Sequence, residues 1–237
     1  MATTSIGAPG VVFPDGTTQA SATTGEGTVT VYTSPSTFSK PTKLGLKYIK
    51  VTVIAAGGSG GNTTSSSNPG GNALVAAGGG GSGGIGIGMF PAPSLPTSPI
   101  AITAGSSGTP SSLGSIVSAT AGGNAAPVTS NVSTNGSGGV RGSTTFGATT
   151  QVAMFGSAGA TAGGNGGLGA VPAINTGDGG VGAVAVPTNG GINGGAASGY
   201  GAGGGGSVAR SSGIPAIPRS ATGGAGAPGY VIIEEFY

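Results

Sequence analysis

Any acid–base chemistry in this chain would fall to five carboxylates: Asp15, Glu26, Asp178, Glu234 and Glu235. There is no histidine to exchange protons near neutrality and no cysteine to act as a nucleophile. The same absences remove the usual zinc, copper and iron ligands and any disulfide framework. Glu234 and Glu235 are adjacent, so on a strand they point to opposite faces and cannot act as a pair. Glycine-rich matches to GxGxxG arise by chance in such a chain, and none lies between a strand and a helix. The residues therefore predict neither an enzyme nor a bound cofactor or metal.

The remaining charges are equally sparse. Seven basic residues give a net charge of +2, negligible as a field. Between Val51 and Gly229 only Arg141, Asp178, Arg210 and Arg219 carry charge. Lys40, Lys43, Lys47 and Lys50 form the one basic cluster, with Tyr48 among them. Nucleic-acid binding needs a denser patch with stacking partners, so these lysines read as the solvated face of a strand pair. No stretch approaches ~18 consecutive apolar residues, and none has the layout of a secretory signal. Neither membrane insertion nor a nucleic-acid partner is expected.

The elements that would position side chains lie at the ends. Thr28 to Tyr32 is β-branched and aromatic, Lys47 to Ile54 alternates, and Gly229 to Tyr237 is a third strand. These three are expected to pair and close the domain. Shorter β-like pieces fall at 99–103, 115–118, 144–146 and 152–155. Ahead of them, residues 1–27 are small and polar except for Val11, Val12 and Phe13, which precede a Pro-Asp-Gly turn. This segment reads as a short hairpin or an arm for attachment or oligomerisation.

Between the framing strands, 28–56 and 229–237, glycine dominates residues 57–228. The chain has 56 glycines, with runs such as Gly78 to Gly81 and Gly203 to Gly206. A glycine linker has no reason to retain apolar residues, yet 36% of this chain is apolar. Collagen needs glycine at every third position, and the spacing here slips. Helices are disfavoured, because glycine costs ~1 kcal/mol per residue in a helix interior. What remains is polyglycine II: extended threefold helices whose outward N–H and C=O groups bond to neighbouring helices. The predicted fold is mainly β and irregular, with stacked polyglycine II-type helices closed by a small sheet from the N- and C-terminal strands and essentially no α-helix.

Non-glycine inserts interrupt the blocks at 62–69, 89–98, 125–135, 172–176, 185–189 and 208–220. Apolar residues on a rigid scaffold read either as a binding surface or as caps on the bundle ends. Phe90, Leu95, Ile174, Ile192, Tyr200, Ile214 and Ile217 are the apolar contact candidates, with Arg141, Arg210 and Arg219 as polar partners.

Three passages resemble the glycine-rich distal proteins of bacteriophage tail fibres. Val12-Phe13-Pro14-Asp15-Gly16-Thr17-Thr18-Gln19 is similar to a segment common in tail-fibre proteins. Val31 to Phe38, followed by Lys50 to Gly58, resembles the opening of their glycine-rich domain, and Gly226 to Glu234 resembles its close. Together they frame essentially the whole chain. The resemblance implies a receptor-binding adhesin that recognises the host cell surface, as glycan or outer-membrane protein, through loops at the fibre tip. It also implies residence in the virion, synthesis in the host cytoplasm and release by lysis. Other tail or fibre proteins are then expected partners, with 1–27 as anchor, through a homotrimer or by docking. The rival readings are a structural spacer or decoration subunit, an assembly chaperone and, more distantly, an ice-binding protein.

Overall fold

The C-terminal strand Tyr230–Phe236 lies between two segments from the other end of the chain. It pairs antiparallel with Tyr48–Ile54 from Tyr230↔Ile54 to Phe236↔Tyr48, and with Thr28–Tyr32 from Val231↔Tyr32 to Glu235↔Thr28. In this computed structural model Ile85–Pro91 and Val152–Met154 complete a five-stranded main sheet. The structure describes residues 5–7, 10–12, 18–19, 27–41, 45–66, 72–147, 152–154, 180, 182–183, 190–212 and 217–237.

Period-two alternation in the β-branched strands separates the faces of this sheet. Ile49, Val51, Val53, Phe90, Val231 and Ile233 point inward. They meet Phe38, Ile100, Ile102, Leu113 and Val117 of a second sheet. That sheet runs in the order Thr144–Phe146, Val117–Ala119, Ser111–Leu113, Ile100–Thr103, Ser36–Phe38. Each such buried side chain contributes about 1.5–3 kcal/mol, so this two-layer core is the principal hydrophobic anchor. On the outer face Lys50 and Glu234 form an ion pair, and Tyr48 stacks on Phe236 with centroids 4.5 Å apart. Among the described residues the helical content is one 3-10 turn, Ala92–Ser94.

Glycine-rich segments extend from the main sheet and are joined by backbone hydrogen bonds of a different rhythm. The N–H groups of Ala55, Gly58 and Gly61 donate to Gly84, Gly81 and Gly78. Those of Gly57 and Gly60 donate to Ala227 and Gly224, in another segment. Gly122, Ala125 and Val128 donate to Ala56, Ser59 and Asn62. Gly136, Gly139 and Gly142 donate to Ala76, Gly79 and Ser82. The recurrence is every third residue, where a β-strand would give every second. Glycine is required by the spacing: a methyl on Gly58 would strike the Gly123 carbonyl, one on Gly80 the Gly58 carbonyl, and one on Gly204 the Gly224 carbonyl.

The pairing directions fix which turns share an end. Residues 55–65 lead away from the main sheet and 73–84 return to it. Residues 117–130 run outward beside the first segment, with Val128–Ser130 parallel to Thr63–Ser65. Residues 134–146 run back, parallel to the second. Val208–Ser211 runs outward, antiparallel to Ala73–Ala76, while Gly190–Ile192 and Arg219–Ala221 run back. The connections joining 66 to 72, 130 to 134, 183 to 190 and 211 to 219 therefore all attach at the far end. Gly27 and Tyr237 lie at the opposite end, beside the Thr28↔Glu235 pair.

In the arm, Gly10–Val12 pairs with both Ser5–Gly7 and Thr18–Gln19, so Val11 and Val12 sit on the middle strand of a small sheet. Phe13 and the Pro-Asp-Gly turn lie outside the described residues.

Candidate functional site

At the far end the short strands pack with polar contacts beside a small aliphatic cluster of Ala76, Ala183 and Val208. Thr63, Ser65, Ser207 and Ser211 are all buried there. Thr63 Oγ1 and Ser207 Oγ lie 3.0 Å apart, and Ser207 Oγ donates to the carbonyls of Gly61 (2.9 Å) and Ala221 (3.2 Å). Ser65 Oγ accepts the Arg219 N–H at 3.2 Å. Ser211 Oγ is buried without a hydrogen-bond partner among the described residues.

This packing brings Arg210 and Arg219 to one level. Arg219 is registered opposite Ser65, and Arg210 opposite Leu74 and Gly190. The Ser207 contacts to Gly61 and Ala221 tie the three strands together two to four residues below. Both arginines are half-buried. Ile192 is partly buried nearby, packed on Ala76, Ala183 and Val208. Ile217 is 52% exposed just before Arg219, and Val132, in the turn after Ser130, is 56% exposed. Leu74 N–H donates to Ser133 Oγ, tying that turn to the second segment. Sequence reasoning missed Val132, although its setting in Asn131-Val132-Ser133 between two short polar strands was a usable signal.

The other candidates lie elsewhere. Phe90 is 1% and Leu95 4% exposed, so neither is a contact residue in this fold. The stretch expected to be an insert, 89–98, begins inside Ile85–Pro91, an interior strand of the main sheet, where Phe90 opposes Ile49. Gly86 and Gly88 make room on the inner face: a methyl on Gly88 would meet the Phe90 ring at 2.8 Å. Leu95 folds under the same core after the 3-10 turn. Tyr200 packs edge-on against Tyr230 at 4.6 Å, beside the main sheet, between Gly199 and Gly201 with φ of 78° and 71°. Arg141 is exposed on the flank beside Val140. Ile174 and Ile214 lie outside the described residues.

Among the described residues the carboxylates and tyrosines lie at the main-sheet end and do not converge. Glu234 is held by Lys50 at 2.7 Å, while Glu235 accepts the Tyr237 hydroxyl. That hydrogen bond is the main cause pushing the Tyr237 pKa up to about 12. Burial, then the Glu235 charge, raises Tyr32. Burial, then neighbouring Tyr200, raises Tyr230. Lys40 donates to the Ala92 carbonyl at 2.6 Å, so the lysine cluster is partly spent on structure. Among the described residues no three His, Cys, Asp or Glu side chains gather, and no helix is long and apolar enough to cross a membrane.

No family model matches this chain, and no match is found among curated proteins.

Proposed function

We propose that this protein is a receptor-binding tip protein of a bacteriophage tail fibre, and that its far end meets the host cell surface. The observation that carries the reading is the segregation of ends. Four chain connections attach at one end, and Gly27, where the arm joins, and the end of the C-terminal strand lie at the other. An adhesin needs this polarity, with one end for the fibre and the other for the receptor. The resemblance at 12–19, 31–58 and 226–234 supports the same reading.

The scaffold in this proposal is a bundle of polyglycine II-type helices. Hydrogen bonds at every third residue, directed to different neighbours in rotation, are what a threefold extended helix produces. Such a bundle is stiff without a large side-chain core. Residues presented on it lose little conformational entropy when they bind. Glycine offers a receptor only backbone groups, so discrimination falls to Arg210, Arg219, Ile217 and Val132, with residues 1–27 as the anchor.

The test combines mass spectrometry of purified particles with binding of the recombinant protein to host cells. Presence in the particle and saturable binding support the proposal. Presence without binding, unchanged by exchange of residues 211–219, would favour the spacer.

A further inference from the structure

A groove of about 420 Å³ opens on the flank of the bundle. Ser59, Gly60 and Asn62 form its floor, Asn124 and Pro127 one wall, and Gly223 the other. Two asparagines here have their orientation fixed by the backbone. The Ser59 N–H donates to Asn124 Oδ1 at 2.8 Å, and the Gly223 N–H donates to Asn62 Oδ1 at 2.9 Å. A backbone N–H can be met only by the carboxamide oxygen, so each amino group is assigned by exclusion. Neither Nδ2 has a hydrogen-bond partner among the described residues, and both side chains are exposed. The Ser59 hydroxyl is likewise without a partner among them. Capping an outward N–H requires only an oxygen, which Asp or Ser would supply. Asparagine adds donors and keeps the site neutral.

We infer that this groove binds a neutral, hydroxyl-rich saccharide. Two amino groups and a hydroxyl match sugar hydroxyls, which both donate and accept. Exposed Pro127 offers an apolar surface to the C–H face of a ring. Ser59 and Asn62 are three residues apart on an extended chain, roughly 9–10 Å, comparable to two linked hexoses. A phosphate or carboxylate would find no countercharge among the lining residues and would lose its hydration uncompensated. The inference does not depend on the tail-fibre reading.

The test is an NMR titration of ¹⁵N-labelled protein, following the side-chain amide signals of Asn62 and Asn124. The probes are glucose, galactose, cellobiose and lactose, with inorganic phosphate as the charged control. Saturable shifts of both amides with at least one sugar, and none with phosphate, are expected. In the N62D/N124D variant each carboxylate still accepts its backbone N–H, so the fold should persist. Sugar affinity should fall at least about tenfold, the worth of roughly one lost hydrogen bond. P127G tests the apolar contact without touching either cap and should also weaken binding. Absence of shifts with all four sugars, or shifts with phosphate instead, overturns the inference. So does unchanged sugar affinity in folded N62D/N124D.

Discussion

Lys50 and Glu234, 184 residues apart in sequence, meet at 2.7 Å across the strands that join the two ends of the chain. The ion pair marks the register of that closure without supplying its strength. Its side chains are 38% and 25% exposed, and such pairs contribute about 0–1 kcal/mol. The strength lies on the inner face, where Val231 and Ile233 are fully buried. Deleting residues 230–237 should therefore abolish soluble expression, whereas K50A should cost less than about 1 kcal/mol in urea unfolding. A truncated protein that melts like the parent would refute the closure.

Phe90 separates a structural role from a contact role. Replacing a fully buried phenylalanine with alanine costs about 3–5 kcal/mol. F90A should lower the urea midpoint sharply. Cell binding should be retained in whatever fraction stays folded. Full stability combined with lost adsorption would return Phe90 to the receptor surface.

The framing strands were legible because β-branched runs are local signals. Thr28–Tyr32, Tyr48–Ile54 and Tyr230–Phe236 emerge within one residue of the expected ends and with the expected mutual pairing. The glycine segments were legible only as a need for neighbours, since glycine carries no side chain to specify which neighbour. The grouping of Arg210 with Arg219 depends on such choices, including the antiparallel pairing of Arg219–Ala221 with Thr63–Ser65 and of Val208–Ser211 with Ala73–Ala76. Phe90 was misread because glycines at 86 and 88 break the strand pattern for an eye that counts only side chains. Their absence of side chains is what admits the Phe146 and Phe90 rings.

Gly58, Gly80 and Gly204 test the scaffold directly. Each lies where an added methyl would overlap a neighbouring carbonyl carbon or oxygen, and backbone cannot rotate aside as a side chain can. Overpacking a core typically costs 1–3 kcal/mol, and clashes against fixed backbone should lie at or above the top of that range. G58A, G80A and G204A should each destabilise by about 3 kcal/mol or more. Alanine at Gly45, where a Tyr237 ring carbon lies 3.9 Å from the added methyl, meets no such clash and is limited by its φ of 126°. Mild effects at all three scaffold positions would contradict the close packing.

Tyr237 gives a pH signature. Its pKa is raised to about 12, mainly by the hydrogen bond to Glu235, from an unfolded value near 10. The folded state therefore holds the phenolic proton more tightly than the unfolded state. The associated stability is fully present below about pH 10 and is lost as pH rises through about 12. Tyrosinate absorbance should show Tyr237 ionising late, and Y237F should remove that step while flattening the stability loss. A Tyr237 titration near 10 would dissolve the assignment.

The far-end arginines carry the functional reading. Arg210 and Arg219 sit at one level on adjacent strands, with exposed Ile217 and Val132 near them. Arginine anchors beside apolar contacts typically dominate an interface, at about 2 kcal/mol or more for each truncated hot spot. Because both are half-buried, each single change to alanine must be checked for folding by circular dichroism. Folded R210A and R219A should weaken host-cell adsorption by about tenfold or more, and I217S by less. R141A, on the flank, should leave adsorption unaltered. Equal adsorption by all four variants would remove the far end as the contact surface and leave the bundle as a spacer.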